Sequence, residues 1–296
     1  MNPTSRARWF GLVLAYNQEE YIDYCIRNLA PVLDGIVVLY SARPFIAYNP
    51  SARELFKKTD RTRDILYALQ KQLNGLIVCE GLWDDEESMR DAGLTIIRHE
   101  GGDVCVIVDA DEFYDTCSFE RLRSVVAGNW TPGNVFWSRY YNCYRRPDYV
   151  VDAPYLRLPV AAIINDDTAF INRRRPYGTR VDLPEDVAYW HMGYVLSDRR
   201  MWEKIHTFGH AHEIVSGWYE EKWLRWTPAT TDLCRRQPTR WPRTVSIDVR
   251  RLPKILHGHP FVSPFLSANT ADPPATALTT CETSSALPSI GALVSE

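Results

Sequence analysis

The segment VCVIVDADEFYD places three acidic side chains directly after five apolar residues. The apolar run at 104–108 predicts a buried β-strand. Asp109, Asp111 and Glu112 follow that strand without a break. Residues two apart in an extended segment face the same way, so the two aspartates should point together with Ala110 opposite. Like charges at short range destabilise each other's ionised form, and the pattern therefore predicts a positive partner here.

A divalent cation would relieve this repulsion, because Mg²⁺ and Mn²⁺ favour carboxylate oxygens and usually share their coordination with substrate phosphates. The alternative is that the acids only cap the next helix. That alternative is weaker, because Ser118 stands directly before FERLRSVVA and predicts a helix start of its own. Acid pairs at this spacing are common, so the position at the end of an apolar strand is what makes this pair informative.

The segments before the motif alternate between strand-like and helix-like patterns, which is typical of the α/β class. Apolar runs predict strands at 10–15, 36–40 and 76–79. Helices are expected from Asn17, from Arg61 to Leu73, and from Asp84 or Asp85 onward. The first two strands form a βαβ unit and should be parallel. After residue 134 strands follow one another with few helices, so the central sheet should become mixed.

Composition limits the class of protein. The chain has 296 residues, 45% of them hydrophobic and 24% charged, which is ordinary for a soluble globular protein. No apolar run approaches the roughly 20 residues that span a bilayer, so no transmembrane segment is expected. Seven scattered cysteines without a CxxC pair indicate reduced thiols and a cytoplasmic location. Residues 261–296 are rich in Ala, Ser, Thr and Pro and predict a flexible tail.

The net charge is positive only in the middle segment, residues 151–260. Residues 151–260 carry 17 Lys and Arg against 13 Asp and Glu. Several of these arginines are adjacent, as in 173–175 and 235–236. Arginine forks suit phosphates, so an anionic ligand is one reading and a solvated, mixed-charge surface is the other.

Three segments in this order resemble glycosyltransferases of the GT-A fold, close to the large family-2 type. LVLAYNQEEYIDYCIRN is similar to the opening strand, loop and helix that receive the nucleotide. SMRDAGLTII resembles the helix before the metal motif, and VCVIVDADEFY resembles the DxD strand. The resemblance covers roughly residues 9–215. It implies a Rossmann-like nucleotide-binding half with a mixed central sheet, followed by an acceptor-binding region.

The resemblance divides the chain into one catalytic domain, 1–260, with a nucleotide-sugar-binding half at 1–115 and an acceptor-binding half at 116–260. It implies a nucleotide-sugar donor, and Mn²⁺ or Mg²⁺ on its diphosphate. The donor-binding residues it suggests are Ala15, Tyr16, Asn17, Arg90, Asp91, Asp109 and Ala110. The metal ligands it suggests are Asp109, Asp111 and His191. The catalytic residues it suggests are Asp186 or Glu185 as the base and Glu112 to orient the acceptor.

Two departures from the family pattern bear on the donor. The second predicted strand ends in YSARP, where the family often has an acid that contacts the base and ribose. Asp91 stands where Asn is usual. UDP is the favoured nucleotide, and the acceptor stays open among a glycan, a lipid-linked sugar, a protein and a nucleic acid.

Two other functions compete with glycosyl transfer. A haloacid-dehalogenase-type phosphatase also begins its chemistry with DxD after an apolar strand, with Asp109 as nucleophile and Asp166–Asp167 as a later acidic motif. Phe113 stands where that class has Thr or Val, and the motif follows two strand–helix units instead of opening the domain. A non-catalytic nucleotide- or carbohydrate-binding protein of the same fold is the other alternative.

Overall fold

The computed structural model describes residues 6–45, 47, 60–208, 211–236 and 240–268. Within these ranges the expected α/β class with a mixed central sheet is confirmed. The helices are α1 (Ile22–Leu29), α2 (Thr62–Gln70), α3 (Glu86–His99), α4 (Thr116–Gly128), α5 (Asp198–Thr207) and α6 (Ser263–Ala268). Short π- or 3₁₀-helical turns occur at Ala211–Glu213, Tyr219–Leu224, Val249–Arg251 and Lys254–Gly258.

The strands of the described residues form an eleven-stranded sheet and a separate two-stranded pair, β9 with β10. The strands are β1 (Trp9–Ala15), β2 (Gly35–Ser41), β3 (Leu76–Gly81), β4 (Val104–Asp109), β5 (Glu112–Phe113), β6 (Asn134–Tyr144), β7 (Arg146–Val151), β8 (Arg157–Ile163), β9 (Phe170–Asn172), β10 (Arg175–Pro176), β11 (Thr179–Asp182), β12 (Ala188–Tyr194) and β13 (Thr244–Ser246).

The first half of the sheet is parallel, in the order β3-β2-β1-β4. Alternate residues of β1 enter two different cores, because side chains alternate across a strand. Leu12 packs in the core beneath α3, whereas Val13 packs on the opposite face with α1 and α2. Helices therefore cover both faces, which explains why these strands are apolar without alternation.

The second half of the sheet is largely antiparallel. Strand β8 pairs antiparallel with β4, and β6, β7 and β13 extend the sheet in the order β8-β6-β7-β13. Strand β12 runs parallel to β6 and also pairs antiparallel with the short β5. The second pairing sets His191 opposite Glu112 and so joins the acidic segment to the later part of the chain.

Two predicted helix caps are wrong. Asn17 does not cap α1, which begins at Ile22; Asn17 has φ 51° and its Oδ1 accepts a hydrogen bond from the Asp60 N–H at 3.2 Å. Asp115, not Ser118, caps α4, because its carboxylate accepts from the Ser118 N–H at 2.8 Å. Asp85, one of the two residues expected to begin the third helix, does cap α3.

The start of the expected tail also needs correction. Residues 261–268 continue the folded structure, and residues 269–296 lie outside the described residues. Val262 is fully buried in the main core, and Phe261 packs against it. His259, just before them, stacks on Tyr21 of the first helical turn with ring centroids 4.4 Å apart. The two apolar side chains hold this segment on the domain, despite the polar composition that follows.

Candidate active site

The acidic segment lies at a crevice between the carboxyl ends of β1 and β4. The chain leaves β1 toward β2 and β3 on one side, then returns to β4 on the other side. This reversal creates a crevice where open α/β sheets commonly bind ligands. Leu14 is paired with Asp109 in the register, so the end of β1 and the acidic segment are side by side.

A cavity of about 380 Å³ opens at this crevice. Its wall contains side chains from both halves of the chain, including the aromatic rings of Tyr140, Tyr194 and Trp241. It brings together eight of the residues that the sequence suggested, namely Ala15, Tyr16, Arg90, Asp109, Ala110, Asp111, Glu112 and His191. Asn17 lines a smaller adjacent cavity of about 70 Å³, which shares Tyr16 and Lys204 with the larger one.

Asp109 is held by two arginines. Its Oδ1 accepts from Arg90 at 2.7 Å, and its Oδ2 lies 2.9 Å from Arg174. Arg90 is 1% exposed and is presented by α3, and Arg174 comes from the turn between β9 and β10. Burial opposes ionisation of Asp109, but the charges of Arg174 and Arg90 outweigh it and lower its pKa to about 2. Asp109 is therefore a paired carboxylate.

Asp111 has different partners. Its side chain is 4% exposed, its Oδ2 accepts from Lys204 Nζ at 2.8 Å, and its Oδ1 lies 3.4 Å from His191 Nε2. Burial disfavours the charged form, yet the positive charges of Lys204 and His191 outweigh it and hold the pKa of Asp111 well below its usual range. Asp111 stays ionised inside the cavity wall.

His191 is oriented by Asn142. Its Nδ1 lies 2.7 Å from the Asn142 Oδ1, and an amide oxygen can only accept, so Nδ1 carries the hydrogen. Nε2 faces the Asp111 carboxylate at 3.4 Å, and either a proton on Nε2 or a cation beside both groups would make this contact favourable. The Asn142 amide nitrogen is itself buried without a hydrogen-bond partner among the described residues.

Gly193 keeps space beside this pair. A Cβ at that position would lie 2.5 Å from His191 Nε2 and 2.8 Å from Asp111 Oδ2, closer than real Cβ contacts. Any larger residue would have to displace the imidazole or the carboxylate. The glycine thus allows the imidazole and the carboxylate to keep their present positions against the backbone of β12.

Glu112 is buried and engaged by protein partners. It is 1% exposed and accepts two hydrogen bonds from Arg174, at 2.6 and 2.7 Å, while its Oε2 also accepts from the Asp109 N–H. Burial raises its pKa, and the charge of Arg174 opposes that rise. Glu112 therefore fixes Arg174 and the backbone of the acidic segment.

Three of the suggested residues lie outside the cavity. Asp91 accepts from the Phe170 N–H at 2.8 Å and ties α3 to β9. Glu185 pairs with Arg139 and Arg157, and Asp186 lies 3.3 Å from Arg121. Asp186 also precedes His191 by five residues, roughly 16 Å along an extended segment. The geometry gives neither acid a place at the crevice.

The acids of the phosphatase alternative are also apart. Ile163 pairs with Val104, at the opposite end of β4 from Asp109. Asp166 and Asp167 follow Ile163 in an exposed turn at that far end. The two acidic motifs are therefore not parts of one site.

Several cavity residues were missed from the sequence. Seven Lys and Arg side chains line the cavity against four Asp and Glu. Lys204 was not singled out, whereas the adjacent arginines at 173–175 and 235–236 had been noted as a possible anion site. Glu86 is another cavity residue that the sequence analysis missed. Burial raises its pKa to about 6, although the charge of Arg90 opposes this rise. Lys204 lies on α5, and the sequence of this helix contains several other charged residues, so its pattern does not single out Lys204.

Comparisons with known proteins return only distant structural likenesses. No protein-family model matches the chain, and no curated protein matches it. S. aureus TarS 1-349 in complex with UDP-GlcNAc is 18% identical over 45% of this chain and 35% of that chain, with a TM-score of 0.33. Glucosyl-3-phosphoglycerate synthase from Mycobacterium tuberculosis, with Mn²⁺, UDP-glucose and phosphoglyceric acid, is 17% identical over 46% of this chain and 44% of that chain, with a TM-score of 0.30. The chain thus spans less than half the length of either structure.

Within the part of the chain that the structure describes, no helix combines the length and the apolar character that a membrane span requires.

Proposed function

We propose that the protein is a GT-A-type glycosyltransferase that moves a sugar from a nucleotide-sugar donor, with a UDP-sugar favoured, to an acceptor hydroxyl. The observation that carries the proposal is the convergence of Ala15, Asp111 and His191 on the crevice at the strand-order reversal of a parallel α/β sheet. A nucleotide suits that crevice, and ionised Asp111 lies within it. Residues 1–115 would supply the donor side and residues 116–260 the acceptor side.

A divalent metal fits Asp111 and His191. The imidazole is oriented through Nδ1 by Asn142, as metal-binding histidines usually are, and Gly193 allows both groups to keep their present positions. No cluster of three acidic, His or Cys ligands exists among the described residues, so phosphate and water would complete the coordination of Mn²⁺ or Mg²⁺. When bound, such a cation stabilises charge on a departing diphosphate.

Asp109 has a supporting role in this proposal. Both of its oxygens are held by Arg90 and Arg174, so it positions two guanidinium groups at the donor side. Lys204 adds a third positive charge and can exchange its contact with Asp111 for a phosphate oxygen. Glu185 and Asp186 are left out of the proposed machinery, because they lie outside the cavity.

The test is donor binding by the purified protein. We expect UDP to raise the thermal midpoint of the wild type only when Mn²⁺ or Mg²⁺ is present. Asp111→Asn should weaken metal-dependent UDP binding by about tenfold or more, because outer- and inner-sphere metal ligands typically contribute that much. Glu120→Gln, on the exposed face of α4, is the matched acidic control and should bind as the wild type does.

A UDP-sugar panel then separates the competing functions. Slow metal-dependent hydrolysis of one UDP-sugar supports the transferase, and tight binding without turnover indicates a binding protein. Release of phosphate from simple phosphate esters, lost in Asp109→Asn, would indicate the phosphatase instead. Unchanged UDP binding by Asp111→Asn would contradict the proposed role of this carboxylate.

A further inference from the structure

The side chain of Arg235 lies in a pocket of aromatic rings on the wall of the cavity. Its guanidinium carbon is 4.6 Å from the ring centre of Phe208, 5.2 Å from that of Tyr194 and 5.9 Å from that of Trp241. The residue is half-buried, and its exposed part faces the cavity. The three rings thus surround the guanidinium group on the cavity wall.

Among the described residues, no carboxylate forms an ion pair with Arg235. Arg90 and Arg174 are paired with carboxylates, and Arg236 forms an ion pair with Glu213. The Nε of Arg235 is also buried without a hydrogen-bond partner among the described residues. Burial and the nearby positive charges of Arg236 and Arg173 lower the pKa of Arg235, whereas Tyr140 and Tyr144 oppose that change.

Burial of an unpaired positive charge is unfavourable in free energy. Burial, with the positive charge of Arg236, lowers the pKa of Arg235 to about 9, so the group is still charged at neutral pH. Contacts with aromatic faces offset only part of the lost hydration. A buried cation without a counter-ion is normally unfavourable, and an anion from solution would supply the missing interaction.

We infer that Arg235 is the centre of an anion subsite that binds a phosphate group of a substrate inside the cavity. The planar fork suits two oxygens of a phosphate, and the excess of positive side chains on the cavity wall favours its entry. The phosphate is carried either by the donor, as its diphosphate, or by a phosphorylated acceptor. The assignment to a donor or acceptor depends on the proposed function, whereas phosphate binding itself does not.

The experiment measures binding by calorimetry with three probes: inorganic phosphate alone, UDP with Mn²⁺, and inorganic phosphate added to protein saturated with UDP and Mn²⁺. We compare wild type, Arg235→Met, Arg235→Lys and the control Arg225→Gln, an exposed arginine outside the cavity. Phosphate affinity should fall about tenfold or more in Arg235→Met, and less in Arg235→Lys, which keeps the charge without the fork. The control should match the wild type.

The three probes show whether the bound phosphate belongs to the donor or to the acceptor. If UDP affinity falls in Arg235→Met and saturation with UDP abolishes phosphate binding in the wild type, the donor diphosphate occupies the subsite. If UDP affinity is unchanged and phosphate still binds to the UDP-saturated wild type, an acceptor phosphate occupies it. Phosphate binding that depends on Arg235 in a protein that does not bind UDP would support the subsite and contradict the transferase.

Folding of the variants is checked by thermal denaturation. Removing an unpaired charge should leave Arg235→Met at least as stable as the wild type in phosphate-free buffer. If that variant does not fold, Arg235→Lys decides the question. Equal affinity of the wild type and the folded variants for every probe would overturn the inference.

Discussion

Each carboxylate of the cavity is controlled by the positive charges around it. Asp109 and Asp111 stand two residues apart, yet they have separate partners, the first two arginines and the second Lys204 with His191. This separation lets both remain ionised at short range, since each repulsion is offset by a closer attraction. The positive partner that the sequence demanded is thus supplied in part by the protein itself.

Glu86 gives a pH-dependent prediction. Its pKa rises from 4.5 to about 6 in the folded state, so the folded protein binds the proton more tightly than the unfolded chain does. The free energy of unfolding should therefore decrease, through this group, as the pH rises from about 4.5 to about 6. Glu86→Gln avoids this loss and should be more stable than the wild type above pH 6, by about 1 kcal/mol after allowing for solvent screening. Urea denaturation across this pH range measures the difference.

The matched control for Glu86→Gln is Glu120→Gln, which removes an exposed acid elsewhere. A difference between wild type and Glu86→Gln that is constant across the pH range would contradict the raised pKa. If Glu120→Gln showed the same pH-dependent gain in stability as Glu86→Gln, the effect would come from the change in net charge.

Which of these residues could be found from the sequence depends on how far apart their partners are. Asp109 and Asp111 could be predicted, because strand and acids are contiguous. Arg174 follows Asp109 by 65 residues and Lys204 follows Asp111 by 93, and only the folded sheet brings them near. His191 could be suggested from the resemblance, but its orientation by Asn142 depends on the pairing of β12 with β6.

The elements of the first half were largely predictable because each is a single periodic run. The predicted strands at 10–15, 36–40 and 76–79 correspond to β1, β2 and β3, with ends extended by a residue or two. The caps were less predictable, since Asn17 and Ser118 are suitable caps by type, while tertiary contacts with Asp60 and local competition from Asp115 decided the outcome. Local preference is a weak guide where several candidates stand close together.

Strand β12 positions His191 through the small size of Gly193, which gives a prediction at this scale. Gly193→Ala places a methyl group where His191 Nε2 and Asp111 Oδ2 now approach, so one of them must move. We expect metal-dependent UDP binding to weaken by about tenfold, with a loss of stability of about 1–3 kcal/mol from overpacking. Calorimetry with UDP and Mn²⁺, together with urea denaturation, measures both effects.

Gly128→Ala is the control for this change. A Cβ at Gly128 meets nothing within 4 Å at the exposed end of α4. It should leave UDP binding unchanged and alter stability by no more than about 1 kcal/mol. If Gly193→Ala bound UDP and Mn²⁺ as the wild type does, the space beside His191 would have no role in binding.

Helix α3 approaches the sheet through Gly93, and this contact sets the position of Arg90. A Cβ at Gly93 would lie 2.3 Å from Leu12 and 2.6 Å from Leu39, both in the core of the parallel sheet. Gly93→Ala should therefore destabilise the fold by about 1–3 kcal/mol. Weaker UDP binding should accompany the loss, because Arg90 lies one turn earlier on the same helix. Gly128→Ala serves again as the control, in the same denaturation and calorimetry measurements.

At the scale of the whole molecule, residues 261–268 belong to the folded domain. A chain that ends at residue 268 should unfold at the same urea concentration as the full chain, if the composition-based prediction for the remaining residues holds. A chain that ends at residue 260 loses the buried Val262 and the packed Phe261, and should be less stable by about 3 kcal/mol. Equal stability of the two truncated chains would contradict the importance of this contact.

The pairing of β5 with β12 has a consequence for biosynthesis. The strands that form the crevice, β1 to β4, are complete when little more than a third of the chain has been synthesised. His191, Lys204 and Arg235 are added much later. At that point the acidic segment still lacks Arg174, His191 and Lys204, three of the positive side chains that pair with it. Nascent chains should therefore be unable to retain a nucleotide, and competence for ligand would arise in a single late step of synthesis.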